Sequence, residues 1–141
     1  MVKPANPTDR SARGLLTAEL ALARGAPGAA YEAIRNDIDP TLAVWRGALS
    51  GRVLAGRGVL DSALTVTAEY ASGEGFGVDT QGDWVMAPLE GARLAESLGD
   101  SATARAALQR LLDQWKDADP DLAVLREART HLARLQRAAG S

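Results

Sequence analysis

The chain has no cysteine among its 141 residues, few aromatic residues, little net charge and no long apolar run. Without thiols it forms neither a disulfide nor a thiolate zinc site, which predicts a cytoplasmic protein but does not exclude export. The formal net charge is −2 with both signs interspersed, so no basic field attracts nucleic acid. No apolar stretch approaches the roughly 18 residues of a membrane span, so we expect a soluble protein with no membrane partner.

The residues that are abundant favour packed helices. Hydrophobic residues make up 46% of the chain, with Ala and Leu dominant, whereas aromatic residues make up only 4%. Small and straight-chain apolar residues suit helix packing, while sheets favour β-branched and aromatic residues. The length is that of one self-sufficient domain, so we predict a single all-α domain over residues 1–141.

Glycine, proline and Asp-Pro breaks divide the chain into about seven predicted helices. Asp39, Asp100 and Asp119 are predicted to cap the third, sixth and seventh helices. The glycine-rich segment 72–82 is predicted to be a loop between repeats. Pro88 is expected in or near the first turn of the fifth helix, whose start is predicted between Trp84 and Met86.

The same arrangement recurs at three glycines. A small residue lies seven positions before each glycine and an alanine five positions after it, and the glycines are 33 and 41 residues apart. Small residues let two helices approach closely, and glycine suits the tight turn between them. The sequence therefore predicts a helix-turn-helix repeat, with these trios: Ala18, Gly25 and Ala30; Gly51, Gly58 and Ala63; Ala92, Gly99 and Ala104.

This pattern resembles the tetratricopeptide repeat family, in which a small residue, a glycine turn and an alanine follow in this order. The segment of about 85–137 is more narrowly similar to repeat regions attached to bacterial serine/threonine kinases and winged-helix regulators. The resemblance implies a right-handed helical-repeat solenoid with repeats at about 9–38, 41–71 and 84–116 and a capping helix at about 121–137. Thr17, Ala21 and Asp37 depart from the larger apolar residues usual in the family.

The resemblance also implies a concave groove lined by the first helix of each repeat. A helical wheel places apolar and charged side chains together there, a mixture that suits a protein or peptide partner. Trp45 is left open between lining this groove and packing between repeats. The candidate groove residues are Leu15, Glu19, Trp45, Ala48, Arg52, Met86, Glu90, Arg93 and Glu96.

Other polar clusters are interpreted as structural. His131, one turn after Glu127, is interpreted as a surface histidine because no third ligand or nucleophile accompanies it. Gly73, Gly75 and Gly77 lack the strand and lysine of a phosphate loop. The alternating aspartates at 117, 119 and 121 are interpreted as helix capping, and the arginines at 126, 129, 134 and 137 as complementing a helix end.

We therefore predict a non-enzymatic interaction or scaffold module that has no catalytic residue, metal or cofactor and holds a peptide or helix of a partner in the groove. The alternatives are a spacer that self-associates as a homodimer through the exposed helix of a terminal repeat, and the sensing domain of a bacterial kinase or regulator.

Overall fold

The computed structural model describes residues 7–38, 43–73 and 81–140. In these residues the chain is all-helical, and the bounds are α1 (Pro7–Ala23), α2 (Pro27–Asp37), α3 (Ala43–Gly56), α4 (Leu60–Ser72), α5 (Gln81–Ser97), α6 (Ser101–Gln114) and α7 (Ala123–Ala139). They form two compact units, Met1–Tyr70 and Ala71–Ser141. No helix in the described ranges combines the length and apolarity needed to cross a membrane.

Three glycine turns join α1 to α2, α3 to α4 and α5 to α6. Gly25, Gly58 and Gly99 have φ angles of 70°, 77° and 78°. At the first turn the N–H of Gly25 donates to the Leu22 carbonyl at 2.9 Å, and the N–H of Ala26 donates to the Ala21 carbonyl at 2.8 Å. The same two bonds recur at Gly58 and Gly99, so all three turns are Schellman motifs that require a residue tolerant of positive φ.

The small residues of the three trios lie where the predicted pattern places them. Ala18, Ala30, Ala63, Ala92 and Ala104 are fully buried, and Gly51 is buried as well. A Cβ added at Gly51 would lie 2.2 Å from the Thr67 hydroxyl oxygen, which shows how closely α3 approaches α4. The helix-turn-helix arrangement predicted from the sequence is therefore present in all three pairs.

One buried cluster of the first unit joins α1, α2 and α3. It comprises Ala18, Ala30, Ala33, Ile34, Ile38, Leu49 and Val53. Leu49 and Val53 belong to α3, so the apolar face of this helix is covered by residues of the preceding helix pair. In the second unit α6 packs on both α5 and α7, with Leu89, Leu108, Leu111 and Leu125 fully buried.

The predicted helix starts have mixed outcomes. Asp100 is the N-cap of α6, and its carboxylate accepts the Thr103 N–H at 3.0 Å. The prediction for Asp119 is wrong, because its carboxylate accepts the N–H of Asp121 at 2.9 Å, a local turn, and α7 starts after Leu122. The prediction for Asp39 lies outside the described residues.

The start of α5 differs from the prediction. The helix begins at Gln81, so Gly82 and Trp84 are inside it and Pro88 is a buried residue of its interior. Because proline has no N–H, the Trp84 carbonyl loses its usual helical donor. The indole N–H of Trp84 donates to the Gly73 carbonyl at 3.1 Å, which anchors the early turn that the sequence assigned to a loop.

The Asp100 cap makes the stability of α6 dependent on pH. Hydrogen bonds from the Thr103 hydroxyl and then from the backbone hold the pKa of the Asp100 carboxyl below its usual value. A depressed folded-state pKa contributes stability above the unfolded-state pKa, and this contribution is lost as pH falls through the folded-state value. We expect Asp100→Asn, which retains a capping oxygen, to match wild type at neutral pH and to lose less stability in acid. Thermal midpoints across the acid range test this, and parallel curves would contradict it.

Candidate binding surface

In the first unit, the two candidate groove residues Glu19 and Arg52 bind each other. Arg52 Nη1 donates to one Glu19 carboxylate oxygen at 3.2 Å, and Arg52 Nη2 pairs with the other oxygen. The contact joins α1 to α3 through a two-point guanidinium–carboxylate pair, a geometry that arginine favours. The side chains of Arg52 and Glu19 are 35% and 46% exposed, so the pair lies on the surface and contributes about 0–1 kcal/mol to stability.

In the second unit, Arg93 and Glu96 of α5 pair with α7. Arg93 forms an ion pair with Glu127, and Glu96 forms one with Arg134. Arg52 and Arg93 occupy the same repeat position, one residue after the small residues Gly51 and Ala92. Each equivalent arginine therefore holds a carboxylate of another helix in its own unit.

The interpretation of His131 as a simple surface histidine is wrong. Its side chain is 22% exposed, and its Nδ1 lies 3.4 Å from Glu96 Oε1. Both of these atoms are closed to solvent and have no hydrogen-bond partner in the described part of the chain. His131 faces Glu96, 35 positions earlier, and Glu127 is engaged by Arg93. This placement depends on how α7 packs on α5, which local spacing does not reveal.

The remaining candidate groove residues are in different surroundings. Leu15 is partly buried against the core of the first unit, so its apolar side chain contributes to packing there. Met86 is partly buried, and Glu90 is partly buried and makes an interaction of its own. The side chains of Trp45 and Ala48 lie outside the described part of the structure. The structure thus brings Glu19 to Arg52 within the first unit and supplies α7 partners to Arg93 and Glu96 within the second.

An open depression of about 1100 Å³ lies beside Trp84 in the second unit. It is lined by Ala71, Ser72, Gly73, Trp84, Ala106, Gln109, Arg110, Asp113 and Gln114. Trp84 is fixed there by its bond to the Gly73 carbonyl. Trp115 is partly buried at the C-cap of α6.

Three of the four arginines of α7 have partners within the second unit. Arg129 donates to the Pro120 carbonyl at 2.7 Å, Arg134 pairs with Glu96, and Arg137 donates to the Ala133 carbonyl at 3.3 Å. Arg129 thereby secures the turn before α7, a role that sequence reasoning missed. Among the residues that the structure describes, no group of three potential metal ligands is close enough to hold an ion. Gly75 and Gly77 lie outside those residues.

Comparisons of the chain with protein-family models, with curated proteins and with solved structures gave no match.

Proposed function

We propose that this chain is a right-handed tetratricopeptide-like module that binds an acidic peptide or helix of a protein partner without catalysing a reaction. The observation that carries the proposal is the threefold recurrence of one turn, with Gly25, Gly58 and Gly99 at positive φ between helices that meet at buried small residues. Within the first unit, the first helices α1 and α3 bring the corresponding side chains of Glu19 and Arg52 together, as the first helices of stacked repeats do.

Arg52 and Arg93 are the residues proposed to recognise the partner. Each sits at the same repeat position and each already binds a carboxylate through exposed side chains. An Asp or Glu of a ligand offers the same charge-assisted hydrogen bonds as Glu19 or Glu127 offers now. Binding would therefore exchange one carboxylate for another and leave no arginine without a partner. This makes the internal glutamates competitors of the ligand.

The test measures the affinity of the full chain for fluorescent peptides drawn from a random pool enriched in Asp and Glu. Each peptide is titrated with wild type and with each variant. We expect Arg52→Ala or Arg93→Ala to weaken binding about tenfold or more, because a desolvated arginine often dominates recognition. We expect Glu19→Gln or Glu127→Gln to tighten binding up to about fivefold, because the competing surface pair is lost. All four variants should fold as wild type does.

Arg126→Ala is the matched control, since Arg126 is an exposed arginine of α7 that forms no ion pair within the described ranges. Loss of binding in this control alone would move the site to the last helix. Unchanged affinity in the two glutamine variants, together with loss in the alanine variants, would show that the ligand does not compete with Glu19 and Glu127.

A further inference from the structure

Five charged or titratable side chains meet where α7 packs on α5. Arg93 and Glu96 of α5 form ion pairs with Glu127 and Arg134 of α7, in that order, and the imidazole of His131 lies against Glu96. On a wheel of about 100° per residue, Glu127 and Arg134 lie about 40° and 60° from His131, both to the same side. We call these five residues the α5–α7 cluster.

The remaining charged residues of the neighbouring helices do not belong to this cluster. Those of α5 and α7 lie about 120° or more around their helix from Glu96 or His131, and they are Asp83, Glu90, Arg126, Arg129 and Arg137. Those of α6 form no ion pair in the described part of the chain, and they are Arg105, Arg110 and Asp113. A proton on His131 therefore acts on the two ion pairs of the cluster itself.

The imidazole of His131 presents one of its two nitrogens to Glu96. Nδ1 lies 3.4 Å from Glu96 Oε1, and both atoms are closed to solvent. Because a lone pair on Nδ1 would leave this carboxylate oxygen facing a second acceptor, the single proton of the neutral ring belongs on Nδ1. The neutral ring then has a lone pair at Nε2, whereas the protonated ring has an N–H at both nitrogens. Protonation thus adds a donor at Nε2.

Glu127 is the carboxylate that this added donor meets on the same helix. It lies four residues before His131, the spacing at which a glutamate pairs with a cation that follows it. Glu127 and its present partner Arg93 are 40% and 49% exposed, so their ion pair is weak and can be exchanged. Glu96, in contrast, is engaged by Arg134. We therefore expect a protonated His131 to compete with Arg93 for Glu127.

We propose that protonation of His131 regulates the acid-binding site at Arg93, an inference that rests on the proposed function. The protonated ring binds Glu127, so Arg93 binds an Asp or Glu of the ligand without its internal competitor. His131 is the only histidine of the chain, and histidine ordinarily changes its charge between about pH 5 and 8. Lowering the pH through this range strengthens binding at Arg93. The site at Arg52, whose unit contains no histidine, does not respond.

The test measures the Kd of a rhodamine-labelled hexa-aspartate peptide for the full chain carrying Arg52→Ala, in which Arg93 is the remaining site. The measurements are made at about pH 6 and about pH 8, where aspartate, with an ordinary pKa of about 3.9, stays ionised. We expect a Kd about two- to fivefold lower at the acid pH, the effect of removing one surface ion pair. Circular dichroism confirms that every variant folds.

Two further substitutions in this Arg52→Ala chain separate the roles of the ring and the carboxylate. His131→Asn keeps a donor toward Glu96 but does not take up a proton, so we expect the same Kd at both pH values. Glu127→Gln keeps the histidine but removes the competitor, so we expect the lower Kd at both pH values. The α-amino group, which also titrates in this range, is common to all variants.

The chain carrying Arg93→Ala alone keeps the Arg52 site and is the matched control, with the same Kd expected at both pH values. A pH-independent Kd in the Arg52→Ala chain, or an undiminished pH dependence after His131→Asn, overturns the regulation and leaves the proposed function intact. If adding Arg93→Ala to the Arg52→Ala chain leaves peptide binding unchanged, both proposals are overturned.

Discussion

Replacing Leu108 with Ala should lower the free energy of unfolding by about 2–5 kcal/mol, the largest effect expected of any substitution considered for this chain. Leu108 is fully buried in the middle of α6, the helix that packs on both α5 and α7. Truncation removes buried apolar surface and leaves a cavity that two neighbouring helices cannot close without shifting together. The loss should therefore lie at the upper part of this range if α5 and α7 stay in place.

Urea denaturation followed by far-UV circular dichroism measures this change. Leu122→Ala is the matched control, because Leu122 is 38% exposed at the N-cap of α7. Neither leucine nor alanine has a side chain that can cap a helix. We expect the control to change the free energy of unfolding by less than about 0.5 kcal/mol. Equal effects of the two substitutions would mean that Leu108 does not lie in the core of the second unit.

Replacing Gly51 with Ala should destabilise the first unit by about 1–3 kcal/mol, although alanine is the better helix former. The added Cβ would lie 2.2 Å from the Thr67 hydroxyl oxygen and 3.6 Å from the Ala63 carbonyl oxygen, so the clash is with one buried side chain. Thr67 is 2% exposed and has little room to move. The overpacking at this crossing outweighs the gain in helix propensity.

A double-mutant cycle isolates that clash. Thr67→Ala removes the hydroxyl oxygen, so the Gly51→Ala/Thr67→Ala chain should be more stable than the sum of the two single changes by about 1–3 kcal/mol. Gly28→Ala is the control, because a Cβ at Gly28 meets nothing within 4 Å and should gain up to about 1 kcal/mol from helix propensity. Additive single changes would show that α3 and α4 do not cross at Gly51.

The helix pairs could be predicted because their determinants are local. The hydrogen bonds of the turns at Gly25, Gly58 and Gly99 each span at most six residues. The spacing of small residues around these glycines therefore indicates both the helix ends and the crossing points. The failure at Asp119 is also local, since one carboxylate can either cap a helix or close a shorter turn. The sequence around Asp119 is compatible with both the helix cap and the shorter turn, so it does not determine which of them forms.

The surface could be predicted less well because its partners are distant in sequence. The repeat pattern places Arg52 and Arg93 at the same repeat position. It does not reveal that these arginines form ion pairs with Glu19 and Glu127. Nor does it place His131 against Glu96. These features depend on which helix lies next to which.

The packing of each helix on near neighbours in the chain also bears on how the protein folds. Within each unit, the described helices contact helices one or two places away in the sequence, as α1 does with α2 and α3, and α6 with α5 and α7. Contacts of short sequence separation form after small losses of chain entropy, and proteins rich in them fold within microseconds to milliseconds. Synthesis on the ribosome adds about 5–20 residues per second, so the contacts within one helix pair can form before the next pair, which completes its buried cluster, has been translated.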